Sequence, residues 1–516
     1  MYHCNNQTND SMKINSVFRK SLLLAAACVV YAGAWAQFTT PRSNAPFMTK
    51  DQVGAHAMPE QIAPIVAPFD MPQLAKPVFP DYTVTLNRPA RGKSTSLIQN
   101  AIDRVHRRGG GTVVVSPGIW NTSRLTLKSN VNLHLAEGAE LHIGGEMEDF
   151  LPAVFTRVEG IEVMSSGGFI YAHNAENIAL TGKGKIIGPA MDAPVRHAKS
   201  APSIDPSKIA VVENAIDQDA PVSQRIFDGY QGRYFYQPKS LCFVECKNIL
   251  VEGITIERSV TWNVVPIYCD GVIIRGVTVN SVGIPTGDGV DIESSRNVLI
   301  EYSTLNNGDD CFTMKAGRDR DGVRIDRPTE NVVVRYCLSE VGHGAITIGS
   351  ETAGWIRNVY LHDCVFDGTD RGFRFKTRRP RGGGGENLYY ERVIMNISRN
   401  ALDWDLLGSR TYVGELADRL PKREINQLTP VYRDIFMRDV KINTNEYFIY
   451  AKCIPETPLT NVIMENMDIT CGQLILMRDT KDIILRNSTI RSKDQNMEIL
   501  EGQNVVFDNV NLIYQE

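Results

Sequence analysis

The stretch "IPTGDGVDIESSRNVLIEYSTLNNGDDCFTMKAG", residues 284–317, sets Asp288, Asp291, Asp309 and Asp310 among short apolar runs. Farther on, "GHGAITIG" carries His343 and "RGFRFKT" carries Arg374 and Lys376. Carboxylates placed close together repel, and that repulsion raises the pKa of one of them. A protonated carboxyl beside an ionised one can cut a glycosidic bond. The first delivers a proton to the leaving oxygen and the second activates water. Two cations two residues apart on a strand share a face and can meet a carboxylate on a substrate. Three acids, one imidazole and two cations in one groove make a reaction centre for a sugar acid.

Sharing a groove requires an architecture that stacks distant segments, and a recurring phrase supplies it. "NIALTGKGKI" at 177, "NILVEGITI" at 248, "GVIIRGVTV" at 271 and "NVLIEYSTL" at 297 come first. "NVVVRYCLS" at 331, "NVYLHDCVF" at 358 and "NLYYERVIM" at 387 follow, then "DIFMRDVKI" at 434, "NVIMENMDI" at 461, "DIILRNSTI" at 482 and "NVVFDNVNL" at 504. Most units begin about 21 to 34 residues apart, alternate apolar with polar residues, and break at Gly or Asn. One unit cannot bury its apolar face alone, whereas stacked units can, each coil bonding to the next. The pattern predicts an all-β fold: a right-handed parallel β-helix, a single-stranded solenoid of roughly ten or more coils. The leading Asn suits a tight bend, since it tolerates left-handed backbone and can stack on its copies. Propeller blades would need about 40 to 50 residues and antiparallel hairpin turns, which the repeat lacks. Residues 96–107 read as one amphipathic helix, stopped by Gly109-Gly110-Gly111 and capping the N-terminal end of the solenoid. Residues 188–240 and 396–430 read as loops leaving the coil.

Aligning the coils places Asp310 in the column of Gly344 and of Gly372. The segments "GDGVDIE", "GDDCFTMKAG", "GHGAITIGS" and "RGFRFKT" then become successive rungs about 4.8 Å apart. Asp288, Asp309, Asp310, His343, Arg374 and Lys376 gather on one lateral face. Blander readings stand beside this one. Asp-rich turns are common at β-helix corners, a lone His343 would be a solvated loop residue, and Arg374 with Lys376 could pair with Asp291 or Glu293. Asp291, inside its strand, is read as structural in that sense; for the others the shared face favours chemistry.

These rungs resemble the four motifs of the polygalacturonase-type glycoside hydrolases, family 28: Asn-Thr-Asp, Gly-Asp-Asp, Gly-His-Gly and Arg-Ile-Lys. Gly308-Asp309-Asp310, Gly342-His343-Gly344 and Arg374-Phe375-Lys376 carry the resemblance, which covers nearly all of the chain from near residue 80 onward. It implies a pectic polysaccharide or oligogalacturonide substrate, cut at α-galacturonic acid linkages with no metal or other cofactor. It implies roles as well. Asp309 would be the general acid, Asp288 and Asp310 the pair activating water for inverting attack, and His343 the keeper of the acid's proton. Arg374 and Lys376 would hold the substrate carboxylate just past the cut. Thr286-Gly287-Asp288 stands where the family shows Asn-Thr-Asp, so the acid is kept while two residues beside the bound sugar differ. That leaves the rhamnogalacturonan backbone open as an alternative substrate. The long spacer from Asp310 to His343, with "GRDRDGVRIDRPTE" inside, resembles exo-acting bacterial members. A pectate lyase would instead use calcium held by acids with an Arg or Lys base. A β-helix that only grips glycans would have no use for a proton donor, a water-activating pair and a clamp together.

The chain has 516 residues, 43% hydrophobic, with a net charge of -4 and no basic tract, which argues against nucleic acid as a partner. Lys13, Arg19 and Lys20 precede the apolar run "SLLLAAACVVYAGAWA", and Ala34-Trp35-Ala36 fits a cleavage pattern. Residues 1–36 therefore read as a signal peptide, too short for a comfortable membrane span, and the protein as secreted or periplasmic. The Pro- and Ala-rich residues 37–81 read as a linker or an extended arm, and 82–516 as the catalytic β-helix. Export permits disulfides. The eight cysteines beyond residue 36 nonetheless fall at rung positions, with Ser303, Cys337 and Cys364 in one column, which predicts mostly buried free thiols.

Overall fold

A computed structural model describes residues 38, 40–197 and 206–515; the signal peptide read over 1–36 lies outside the described residues. Twenty-nine strands join one sheet whose pairings are parallel, wound as a right-handed parallel β-helix. Alternation explains the winding. Val290, Phe312, Ile346, Phe373 and Leu402 stack rung upon rung as inward residues, and Ile292, Met314, Ile348, Phe375 and Trp404 form the next inward column. Phe375 and Trp404 lie face to face with ring centres 4.7 Å apart. Each such buried side chain contributes roughly 1.5–3 kcal/mol relative to exposure.

The bends use asparagine as the repeat predicts. Asn177, Asn248, Asn297, Asn331, Asn358, Asn387, Asn461 and Asn504 all take left-handed backbone, with φ between 50° and 57°. That conformation is accessible to Asn at little cost. Their amides form a ladder, Asn248 donating to Asn177 at 2.6 Å, Asn331 to Asn297 at 3.2 Å and Asn358 to Asn331 at 3.0 Å. The helix Thr95–Arg107 buries Ile98, Ala101, Ile102 and Val105 against the first coils and covers the sheet edge there. Residues 40–81 run along one flank: Ile65 and Met71 pack on Leu299, Val333, Tyr360 and Tyr389, while Arg275 and Arg335 donate to the carbonyls of Pro59 and Ala63, both at 2.7 Å.

The eight cysteines from Cys242 to Cys471 are buried free thiols, with Cys337 and Cys364 on adjacent rungs. Among the described residues, no helix is long and apolar enough to cross a membrane. Two elements that escaped the sequence reading are the rung Leu402–Asp405, inside the stretch 396–430 read as a loop, and an antiparallel hairpin, Val154–Val158 with Ile161–Ser165, folded over the side of the solenoid. The long segment after residue 188 packs on it. Its helix Ala210–Asp217 contributes Val212 to an apolar cluster with Ile161, Val163, Phe227 and Tyr236.

Candidate active site

The strands Val290–Glu293, Phe312–Lys315, Gly344–Ile348, Arg371–Lys376 and Leu402–Asp405 are successive rungs. Their leading residues are stitched together. The Gly289 amide donates to the Asp310 carbonyl at 2.9 Å, that of His343 to Asp309 at 3.0 Å, and that of Arg371 to His343 at 3.1 Å. Asp288, the Asp309-Asp310 doublet and His343 thus lie on three consecutive coils. The column of Asp310 runs through Gly344 and then Arg371, not Gly372. A register one residue later would turn Arg374 into the core and Phe373 outward. The core keeps Phe373 and Phe375, and Arg374 faces out in the column of Asp291, Thr313, Thr347 and Asp403.

Asp310 is fully buried and accepts a hydrogen bond on each oxygen, from Arg374 Nη1 at 2.7 Å and from Lys376 Nζ at 2.6 Å. Burial opposes its ionisation, but the two cations outweigh burial and hold its carboxyl well below the usual carboxylate range. The pair expected to clamp a substrate carboxylate is therefore engaged by the protein's own acid. Asp309 reaches solvent, and its Oδ1 lies 3.3 Å from His343 Nδ1. The Asp309 contact raises the half-exposed imidazole's pKa against the effect of burial, so His343 tends toward the charged form.

Behind these groups sits a buried ammonium that the sequence reading missed. Lys315 Nζ lies 3.2 Å from Glu351, 3.5 Å from Asp291 and 3.8 Å from Asp288, and 4.4 Å from the ring centre of Trp262. Burial, then the neighbouring Asp291 and Asp309, push the Asp288 carboxyl well above the usual range. Glu351 goes the other way, because Lys315 first, then Arg381 and Arg318, overcome its burial. A signal for Lys315 was present: in "FTMKAG" it alternates with the inward Met314 and pairs in register with Glu293.

Asp291 contacts Lys315 rather than Arg374 or Lys376, and neither of its buried carboxylate oxygens finds a hydrogen-bond donor. Burial pushes its pKa up to about 7. The folded form thus holds this proton from about pH 4 to 7, where the unfolded chain has released it, so this group makes stability fall as pH rises through that window. Asp291→Asn, which mimics the protonated carboxyl, should match the parent's melting temperature only below about pH 4, where the unfolded Asp is protonated too, and exceed it near pH 8. Thermal unfolding at the two pH values measures this, and a variant less stable at pH 8 would mean that ionised Asp291 is needed as a partner of Lys315.

Toward the N-terminal coils the groove meets a small cavity lined by Glu159, Tyr236, Lys239, Thr261, Trp262 and Thr286. Thr286 precedes Asp288 by two residues, so the departure noted at Thr286-Gly287 lies in the wall of this site. Among the described residues, no group of three His, Cys, Asp or Glu side chains is arranged to hold a metal ion.

Residues 231–477 match the family described as glycosyl hydrolases family 28. A probable polygalacturonase of Vitis vinifera is 24% identical over 387 residues, 73% of this chain and 71% of that protein. An exo-poly-alpha-D-galacturonosidase of Dickeya chrysanthemi is 25% identical over 60% of this chain, a match that spans only 54% of the relative. Among solved structures, a hyperthermoactive exopolygalacturonase from Thermotoga maritima superposes with a TM-score of 0.70 at 28% identity, covering 85% of this chain and 94% of that one.

Proposed function

We propose that the chain, which matches family 28 of the glycosyl hydrolases over residues 231–477, is a member of that family and cuts α-galacturonic acid linkages in pectic polysaccharide by inversion, from a chain end. The observation that carries the proposal is the charge arrangement on three adjacent coils. Asp310 is fixed in its ionised form by Arg374 and Lys376, beside the solvent-reaching Asp309 in contact with His343. In this reading Asp309 gives its proton to the leaving oxygen. Ionised Asp310, with Asp288 on the coil before it, accepts the proton of a water attacking the opposite face of the sugar. His343 holds Asp309 in place through the contact of its Nδ1 with Asp309 Oδ1.

Action from a chain end is supported by the hairpin of Val154–Val158 with Ile161–Ser165, whose Val158 and Glu159 wall the cavity beside Trp262 and Thr286. The basic-then-apolar leader supports a secreted or periplasmic location, where such a polymer is met. Product analysis over time tests the proposal on polygalacturonate beside rhamnogalacturonan. The expected result is monogalacturonate from the earliest points, released as the β-anomer by NMR, with slow loss of viscosity. Rapid viscosity loss at low cleavage would show internal cutting. Release from rhamnogalacturonan alone would favour the alternative substrate, to which Thr286 in the cavity wall gives its own support.

A further inference from the structure

Three arginines follow the rung that carries Arg374 and Lys376, namely Arg378, Arg379 and Arg381, and the fold gives them different surroundings. Arg379 donates to both carboxylate oxygens of buried Glu456, at 2.5 and 2.9 Å, and is structural. Arg381 is 3% exposed and its Nη1 has no hydrogen-bond partner. Burial, joined by the charges of Arg318 and Arg378, pulls its pKa down to about 9.

Arg378 alone of the three reaches solvent. Among the described residues its side chain makes neither a hydrogen bond nor an ion pair, and its guanidinium lies over the ring of Tyr412, 4.5 Å from the centre. The acids within electrostatic reach are Glu351 and Asp319, and both are engaged: Glu351 with Lys315 at 3.2 Å, Asp319 with Arg318 at 3.6 Å. Positive charge is therefore in excess at this corner of the groove. The two cations nearer the cut are committed to Asp310. A polyuronate chain brings one carboxylate per sugar, so a cation without a counter-ion, held beside those two, is where the next charge can be met.

We infer that Arg378 is a binding residue for a uronate carboxylate of the substrate, at a subsite on the edge of the groove where the chain leaves the strand after Lys376. This rests on the galacturonan-hydrolase reading. The strand ends at Lys376, and Arg378 follows it by two residues at the start of a turn that the Arg381 amide closes on the Arg378 carbonyl at 2.8 Å. Stacking on Tyr412 fixes the plane of the guanidinium, so that its N–H fork meets a carboxylate edge-on with little left to order on binding.

Calorimetric titration with trigalacturonate and with its methyl ester tests this, using Asp309→Asn protein as the parent so that nothing is cleaved. Adding Arg378→Gln should weaken binding of the acid by about tenfold or more and leave the ester's affinity unchanged. Arg378→Lys keeps the charge but loses the fork, and should recover part of the loss. Equal weakening for acid and ester would make Arg378 a packing residue and overturn the inference, as would undiminished binding of the acid. A parent that binds no uronate oligomer would overturn the hydrolase reading and this inference together. A parent that binds the acid no better than Arg378→Gln overturns the inference alone.

Discussion

Asp309→Asn should reduce turnover by at least about 10²- to 10⁴-fold while leaving polymer binding intact. The amide keeps the volume of the carboxyl, and it can still accept the Asp310 amide hydrogen bond that Asp309 Oδ1 accepts at 3.0 Å. What it loses is the transferable proton. Of the acids on the three coils, Asp309 is the one that is partly open to solvent, whereas Asp310 is locked as an anion by two cations and Asp288 is shut off from solvent. Only an acid open to solvent can reach the leaving oxygen and then be reprotonated from solvent between turnovers. Steady-state rates on polygalacturonate, paired with a binding measurement, check this. Turnover near that of the parent would move the donor role to Asp288, whose burial favours keeping a proton.

The doublet, the imidazole and the rung order were legible because the solenoid converts spacing along the chain into stacking across coils. Once the Asn bends are aligned, Asp310 and Gly344 must neighbour each other. Three things were not legible, each for a physical reason. A one-residue slip at the Arg371 rung leaves the apolar pattern superficially similar, and only the need to keep Phe373 and Phe375 inside decides it. The partner of Arg374 and Lys376 was sought in a substrate carboxylate, Asp291 or Glu293 and not in Asp310, because long cationic side chains reach across coils in a direction that alternation does not specify. Lys315 and Glu351 looked like ordinary outward residues. They are buried by groups from elsewhere, Trp262 on an earlier coil and the hairpin turn whose Gly160 lies against Glu351. That hairpin carried a signal of its own, alternation either side of Glu159-Gly160, which is easily lost amid a repeat made of similar strands.

Lys315→Met should shift the acid limb of the kcat/KM profile upward by more than about one pH unit and lower stability by about 3–5 kcal/mol at neutral pH. The ammonium faces Asp288, Asp291 and Glu351 directly, with Asp310 and Glu293 farther off, and of these cations only Lys315 lies against Asp288. Asp288 is already raised by burial and by its acidic neighbours, and loss of the cation that opposes them raises it further. If Asp288 must be ionised to share the proton of the attacking water, competence then begins at higher pH. The stability effect has the opposite pH trend. Glu351 has its folded pKa depressed, so it contributes stability above its unfolded pKa and loses it as pH falls. Without Lys315, the largest of the cations that oppose its burial, that contribution shrinks, and the gap between variant and parent should be widest at neutral pH and narrow on acidification. The double variant Lys315→Met/Glu351→Gln separates the two effects. Removing both partners of a buried ion pair avoids the stranded charge and should restore much of the stability. It cannot return a cation to Asp288, so the shifted limb should persist. A double variant that recovered the parent's acid limb along with its stability would make Lys315 purely structural and leave Asp310 alone as the base.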